Sequence, residues 1–203
     1  MLFAEMQKIF KKNISVCFFF KKGITLPYYL EDRNMDILNG ILTRRSIRKY
    51  TDERIPQAKA EEIIKYGMYA PSARNCQPWH FILLNDKEIF LKIQEFQPHT
   101  KMLEHAQWGI VVCGDEQLAH TPDYWSVDCA AATENILLAA HGLGYGAVWL
   151  GIYPRPERVS AMKDLLNLPP HIHAFSIVSV GCPAQQLTQP ERFLQERIHL
   201  NKW

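Results

Sequence analysis

Apolar residues recur along this chain with two different periods, and the periods alternate in blocks. In 35–44, Ile37, Leu38, Ile41 and Leu42 fall at helical spacing, and Asn34 stands where a capping side chain is wanted. Pro56 suits a first helical turn. Behind it Ala60, Ile63, Ile64, Gly67 and Met68 follow the i, i+3, i+4, i+7, i+8 rhythm of an amphipathic helix. WHFILLN and WGIVVCGD are short apolar runs bounded by turn residues, the signature of buried strands. Between them, 86–106 is expected to be helical with a break around Pro98. The longest helix is expected over 123–143. There Val127, Ala130, Ala131, Ala132, Ile136, Leu137, Leu138, Ala139 and Ala140 leave little polar face. A helix apolar nearly all round belongs at the centre of a fold or in a subunit interface. GLGYG closes it, AVWLGI is a third strand, 156–167 a further helix and HAFSIVSVG a fourth strand. The tail, 184–203, is polar and irregular and ends RIHLNKW.

This order predicts helices packed on one central sheet, in a mixed α/β or α+β domain. No repeat, low-complexity run or linker interrupts 35–203, which is expected to be one domain. The first 34 residues are expected to be an extension. Their apolar run VCFFF is too short to span a bilayer, and as a secretory signal it lacks a small-residue cleavage site. The favoured reading is that this extension lies outside the native fold, or that translation starts at Met35, where the first well-formed helix begins.

Composition narrows the function. A formal net charge of +2 over 203 residues gives no broad basic face, which argues against nucleic acid and membrane surfaces as partners. The five cysteines are widely spaced and contain no C-x-x-C, a pattern of reduced, cytoplasmic cysteine rather than disulfides or zinc.

Most candidate motifs give way to simpler readings. Gly142, Gly144 and Gly146 form G-x-G-x-G, but after a helix and before a strand, the reverse of the order a dinucleotide site needs. His171 and His173 form H-x-H with no carboxylate or cysteine near them in sequence, so no metal is expected. No nucleophile signature or paired-carboxylate motif occurs, and no side chain is named as catalytic. If the protein is an enzyme, a bound cofactor carries the chemistry.

Two segments resist the simpler reading. TRRSIRKY, 43–50, gathers Arg44, Arg45, Arg48 and Lys49 around Ser46. Cations at a helix C-terminus offset its dipole, yet Arg44 and Arg48 one turn apart would also converge on an anion such as phosphate. The second segment is APSARNCQPWHF, 70–81. It holds Ser72, Arg74, Asn75 and Gln77 between Pro71 and Pro78, dense polar capacity on a loop.

TRRSIRKY, APSARNCQPWHF and GLGYGAVWLGI, in this order and at these separations, together resemble the nitroreductase family of FMN-dependent oxidoreductases. The resemblance covers 35–203, and members of the family typically begin near Met35. It implies an α+β fold with a central, mostly antiparallel sheet flanked by helices, and an intertwined homodimer with FMN at the interface. Carried over by residue, Arg44, Arg45, Ser46 and Arg48 match the segment that holds the flavin phosphate, ribityl chain and pyrimidine edge. Pro71, Ser72, Ala73, Asn75 and Gln77 match a loop that reaches the flavin from the other subunit. Trp149, Leu150 and Gly151 match the segment at the ring, where a backbone N–H approaches N5. Arg192 resembles a late basic residue of the phosphate site, and RIHLNKW a tail that wraps onto the partner. NADH or NADPH would supply hydride and a small electron-poor molecule would accept it, in ping-pong fashion. Leu150 replaces a glutamate of many larger members, and Pro98 or His99 stands where they have an asparagine. Other chemistry on the same flavin, such as dehalogenation or dehydrogenation, and a non-catalytic flavin-binding module are the alternatives. The segment 98–126, with Tyr124 and Trp125, would distinguish the chemistries.

Overall fold

WGIVVCGD is buried at all eight positions, which requires cover on both faces of the strand. The computed structural model, which describes residues 16–21, 24–29 and 35–203, supplies that cover. The chain divides into two units, Met1–Asp36 and Ile37–Trp203. In the first, β1 (Val16–Lys21) and β2 (Ile24–Tyr29) pair antiparallel, from Val16 opposite Tyr29 to Lys21 opposite Ile24. The apolar run VCFFF is therefore strand. The expected cap, Asn34, lies outside the described residues.

The second unit contains α1 (Ile37–Thr43), α2 (Gln57–Gly67), β3 (Trp79–Leu84), α3 (Lys87–Phe96), β4 (Trp108–Asp115), α4 (Tyr124–Gly142), β5 (Gly146–Gly151), α5 (Pro156–Leu166) and β6 (Ile172–Gly181). Its sheet has the order β3-β4-β6-β5 with every neighbouring pair antiparallel. The period of two sorts the core into layers. Ile110, Val112, Val178 and Val180 pack with residues of α2 and α4 such as Ile63, Ala132 and Ile136. Val111, Cys113, Ile177, Val148 and Leu150 pack on the opposite face with Phe90, Ile93 and Met162 of α3 and α5. Burial also pushes the Cys113 thiol up to about 12, so it behaves as a packed apolar group. The register slips between Val112 and Cys113, which leaves Phe175 of β6 without an opposite residue. The Phe175 carbonyl accepts instead from Ile152 and Tyr153, and so fixes the chain just beyond β5.

Boundaries differ from expectation where a residue's neighbours restrict it. Pro56 lies just before α2, at ψ 144°, rather than in its first turn. The segment 86–106 splits into α3 and a short 3₁₀ turn, Lys101–Glu104, because Pro98 bars Gln97 from helical backbone. Two glycines are required by close approach. A Cβ on Gly181 would stand 2.5 Å from the Tyr50 ring, and one on Gly146 2.6 Å from Ile47.

The interior is complete on one side of α4 and not on the other. Trp125, Cys129, Ala132, Ile136 and Ala140 are buried, whereas Val127 is 62% exposed. Helix α1, which contacts α4, buries only Gly40. Its Ile37, Leu38, Ile41 and Leu42 are 72, 66, 54 and 60% exposed.

Candidate functional site

TRRSIRKY leaves the helix after Thr43 and runs extended along the edge of β5. Ser46 bridges Ala147 in parallel, Ile47 N–H donates to the Ala147 carbonyl at 2.9 Å, and Tyr50 bridges Pro183. The expected helical turn between Arg44 and Arg48 is therefore corrected. In extended chain they share a side because of the period of two, separated by about 13 Å of backbone. The cause is tertiary: Ile47 and Tyr50 pack into the space left by Gly146 and Gly181.

The cations divide by role. Arg45 donates to the carbonyls of Leu42 (2.9 Å), Arg44 (2.5 Å) and Thr188 (3.2 Å), so it caps α1 and ties the tail down. Arg44 pairs with Glu134 of α4 at 3.3 Å, both side chains partly exposed. Arg48 is exposed, with one long contact to the Ser46 carbonyl at 3.4 Å. Thr43 Oγ1 gives its single proton to the Asn39 carbonyl (2.6 Å), so the 2.9 Å contact to His141 is donated by Nε2. Burial, and then the charges of Arg44 and Arg45, hold the His141 pKa below its ordinary value.

The edge beside this segment is the chemically open part. Ala147 turns its backbone groups toward Ile47, away from β6, and an antiparallel ladder repeats that direction at every second residue. Trp149 and Gly151 thus aim their N–H groups at the outer edge of β5. Leu150 pairs with Ile177 of β6, and its side chain, 5% exposed, lies in the core. A Cβ on Gly151 would meet nothing within 4 Å, so the space above that backbone is open.

The loop 70–78 is held from within. Ser72 Oγ accepts from Gln77 N–H at 2.9 Å, and Asn75 Oδ1 accepts from the Gln77 side chain at 3.1 Å. Arg74, Asn75 and Gln77 adopt φ of 50, 57 and 50°. Such left-handed backbone persists only where the surroundings over-determine it. Pro71 and Ala73 frame this turn, and the Ala73 N–H donates to Asp128 Oδ1 of α4 at 2.9 Å. Asp128, 4% exposed, has no partner for Oδ2 among the described residues. Arg192 stands exposed in the tail, where its backbone N–H meets Glu191 Oε1.

Two contributors escaped sequence reasoning. Asp128 is one of two carboxylates, with Glu134, inside an otherwise largely apolar helix, which is itself a signal. Gln97, beside Pro98, gave none, yet its amide reaches the Gly151 carbonyl at 2.6 Å. The H-x-H pair also gains neighbours in space. His173 Nε2 lies 2.8 Å from Glu116, and His171 and His80 lie 3.9 and 3.8 Å from Asp115. Among the described residues no group of three or more His, Cys, Asp or Glu is arranged to hold a metal ion.

Comparison with known proteins bears on this edge directly. The family model described as "Nitroreductase family" matches residues 41–182, which include the basic segment, the polar loop and β5. The chain belongs to the nitroreductase family. A protein of Archaeoglobus fulgidus, named by inference as an NADH dehydrogenase/NAD(P)H nitroreductase, is 49% identical, covering 83% of this chain and 99% of its own. A Parabacteroides distasonis structure, named in the same way, superposes with a TM-score of 0.79 at 39% identity, covering 82% of this chain and 98% of that one. A Desulfovibrio desulfuricans structure, a nitroreductase by inference and in complex with FMN, reaches a TM-score of 0.72 at 30% identity, with 82% and 97% covered. The nitroreductase fold and its antiparallel sheet are thus as the resemblance implied.

Proposed function

We propose that this nitroreductase-family chain is an FMN-dependent oxidoreductase that takes hydride from NADH or NADPH and passes it to a small electron-poor acceptor, a nitro compound or quinone, in ping-pong order. The open outer edge of β5 carries the reading: two outward N–H groups, at Trp149 and Gly151, beside unfilled space and alongside Arg44, Ser46 and Arg48. When bound, FMN supplies hydride acceptance and donation at N5. The chain's part is to bind and orient. Arg44 and Arg48 lie too far apart along extended backbone to share one phosphate without long reaches. They therefore serve different ends of the ligand, with the Ser46 hydroxyl between them. Arg192 completes the phosphate site from the tail. Arg45 acts at one remove, holding the segment and the tail together.

A second copy of the chain is the proposed partner. The exposed apolar stripe of α1, the half-open side of α4 and the exposed tail residues Phe193, Ile198, Leu200 and Trp203 support a homodimer. The turn at Pro71, Ser72, Ala73, Asn75 and Gln77 then reaches the flavin of the other subunit. No described helix is long and apolar enough to cross a membrane. The cysteine pattern supports a cytoplasmic protein.

The purified protein is expected to show a yellow flavin spectrum that bleaches on addition of NADH or NADPH without oxygen. A colourless protein that takes up no added FMN would overturn the proposal. Gly151→Ala sharpens the location. The added methyl meets no protein atom, and alanine restricts the unfolded chain, so stability is expected to rise by about 0.5 kcal/mol. The same methyl occupies the proposed ring space, and FMN affinity is expected to fall by roughly tenfold or more. A thermal melt and a flavin-quenching titration read the two effects separately. Unchanged affinity would move the ring elsewhere.

A further inference from the structure

One backbone oxygen in this fold is gripped by side chains from two helices. The Gly151 carbonyl accepts from Gln97 Nε2 at 2.6 Å and from Arg158 Nη1 at 3.1 Å. Gln97 sits just beyond α3 and is 2% exposed, and Arg158 is half-buried in the first turn of α5. An amide that meets a carbonyl must present its NH₂ end, which fixes the orientation of Gln97. Its oxygen, Oε1, then points into the interior, where no partner meets it among the described residues. A buried acceptor without a donor destabilises the fold, and an apolar side chain of the same shape would not carry that penalty. The amide is therefore poorly explained as packing. Its one recorded side-chain bond is the one to Gly151.

That bond acts at a sensitive place. The peptide before Gly151 is held by the pairing of Leu150 with Ile177, and the Ile152 N–H by the Phe175 carbonyl at 3.2 Å. Between them, at the end of an edge strand, stands a glycine, which has no Cβ to restrict its backbone, so these flanking bonds alone set its conformation. The grip on its carbonyl acts on the same peptide plane as the Ile152 N–H, and so reinforces the Phe175 bond and helps keep the Gly151 N–H aimed along the open edge.

We infer that Gln97, assisted by Arg158, is a positioning residue that pins the Gly151 backbone so that its N–H is set for the reacting edge of the flavin. The inference rests on the reading of that edge as the flavin site. Neither side chain needs to touch the cofactor. Both hold the strand end against which the ring is aligned, and hydride transfer falls steeply with small errors of alignment.

The test uses the full chain with Gln97→Met, which keeps the volume and removes both amide atoms, and Gln97→Glu, which sets an oxygen against the Gly151 carbonyl. Selective ¹⁵N-glycine labelling gives ten amide signals, and the one lost in Gly151→Ala is assigned to Gly151. Without FMN, Gln97→Met is expected to melt no lower than the parent. Its Gly151 amide signal is expected to shift or broaden and its hydrogen exchange to speed up. With FMN, the limiting rate of flavin reduction at saturating NADH or NADPH is expected to fall by roughly tenfold, with KM for the nicotinamide little changed. Gln97→Glu is expected to do the same more strongly. A Gln97→Met protein with the parent's Gly151 signal and the parent's limiting rate overturns the inference. So does a lower melting point with an unaltered rate per bound flavin, the result of a merely structural role. If the parent takes up no FMN, the flavin reading fails instead, and the Gly151 amide still reports on the grip.

Discussion

Replacing Arg44 and Arg48 together by alanine is expected to weaken FMN binding by roughly 100-fold or more, while the melting temperature of the flavin-free protein stays nearly unchanged. The first half follows from charge. Each guanidinium that contacts the ligand contributes roughly 1.5–3 kcal/mol as a charge-assisted hydrogen bond, and two together span at least two decades of affinity. The second half follows from exposure. Arg48 makes only a long contact to its own segment, and Arg44 loses a partly exposed pair with Glu134, of a kind that contributes about 0–1 kcal/mol. Arg45 is left in place because its three carbonyl contacts hold the segment itself. A companion variant tests the electrostatic argument by the opposite sign. Glu134→Gln frees Arg44 from its competitor and is expected to retain or tighten FMN binding. Flavin-quenching titrations of both proteins decide the matter. A double variant that still holds stoichiometric FMN at micromolar protein would show that the phosphate site lies elsewhere.

What the sequence disclosed, and what it withheld, divide along the range of the interactions. The buried strands β4 and β6 and the length of α4 were legible because burial on both faces, or on most faces, leaves a continuous apolar run. The basic segment was legible as composition but not as geometry. Four cations in six positions continue a helical pattern, and nothing local says that the chain straightens after Thr43. The straightening depends on Gly146 and Gly181, which lie about a hundred residues or more further along and admit Ile47 and Tyr50 only once β5 and β6 are paired. The polar loop was legible as a loop. Its three left-handed residues were not, since the Asp128 contact that helps hold them joins positions 55 apart in sequence. Gln97 is the extreme case. Its role is set by a backbone atom 54 residues away, and a lone glutamine before a proline carries no pattern at all. The family resemblance placed the site where composition could not. It named Trp149, Leu150 and Gly151 as a block, and the register separates them into two outward N–H groups and an inward side chain.

Leu38→Glu combined with Ile41→Glu is expected to yield a folded monomer that has lost its flavin. In a single copy both positions are more than half exposed, at 66 and 54%, so the charges should cost the isolated subunit almost nothing. The same helix is apolar at Ile37 and Leu42, also exposed, and lies on α4, whose Val127 is exposed as well. If a second copy covers this stripe, each substitution forfeits the burial of a large aliphatic side chain, roughly 1.5–3 kcal/mol, and adds a charge that must be desolvated. Two substitutions in each of two copies exceed what an interface of ordinary affinity can absorb. Flavin loss is the more informative half. Arg44, Ser46 and Arg48 remain intact in the monomer, so a site built from one chain would keep its FMN. A site completed by the turn at 71–77 of the partner would release it as the copies separate. Sedimentation and the flavin absorbance of the same sample give both quantities. A dimer with full flavin would remove α1 from the interface. A monomer with full flavin would leave the interface where it is and confine the site to one chain.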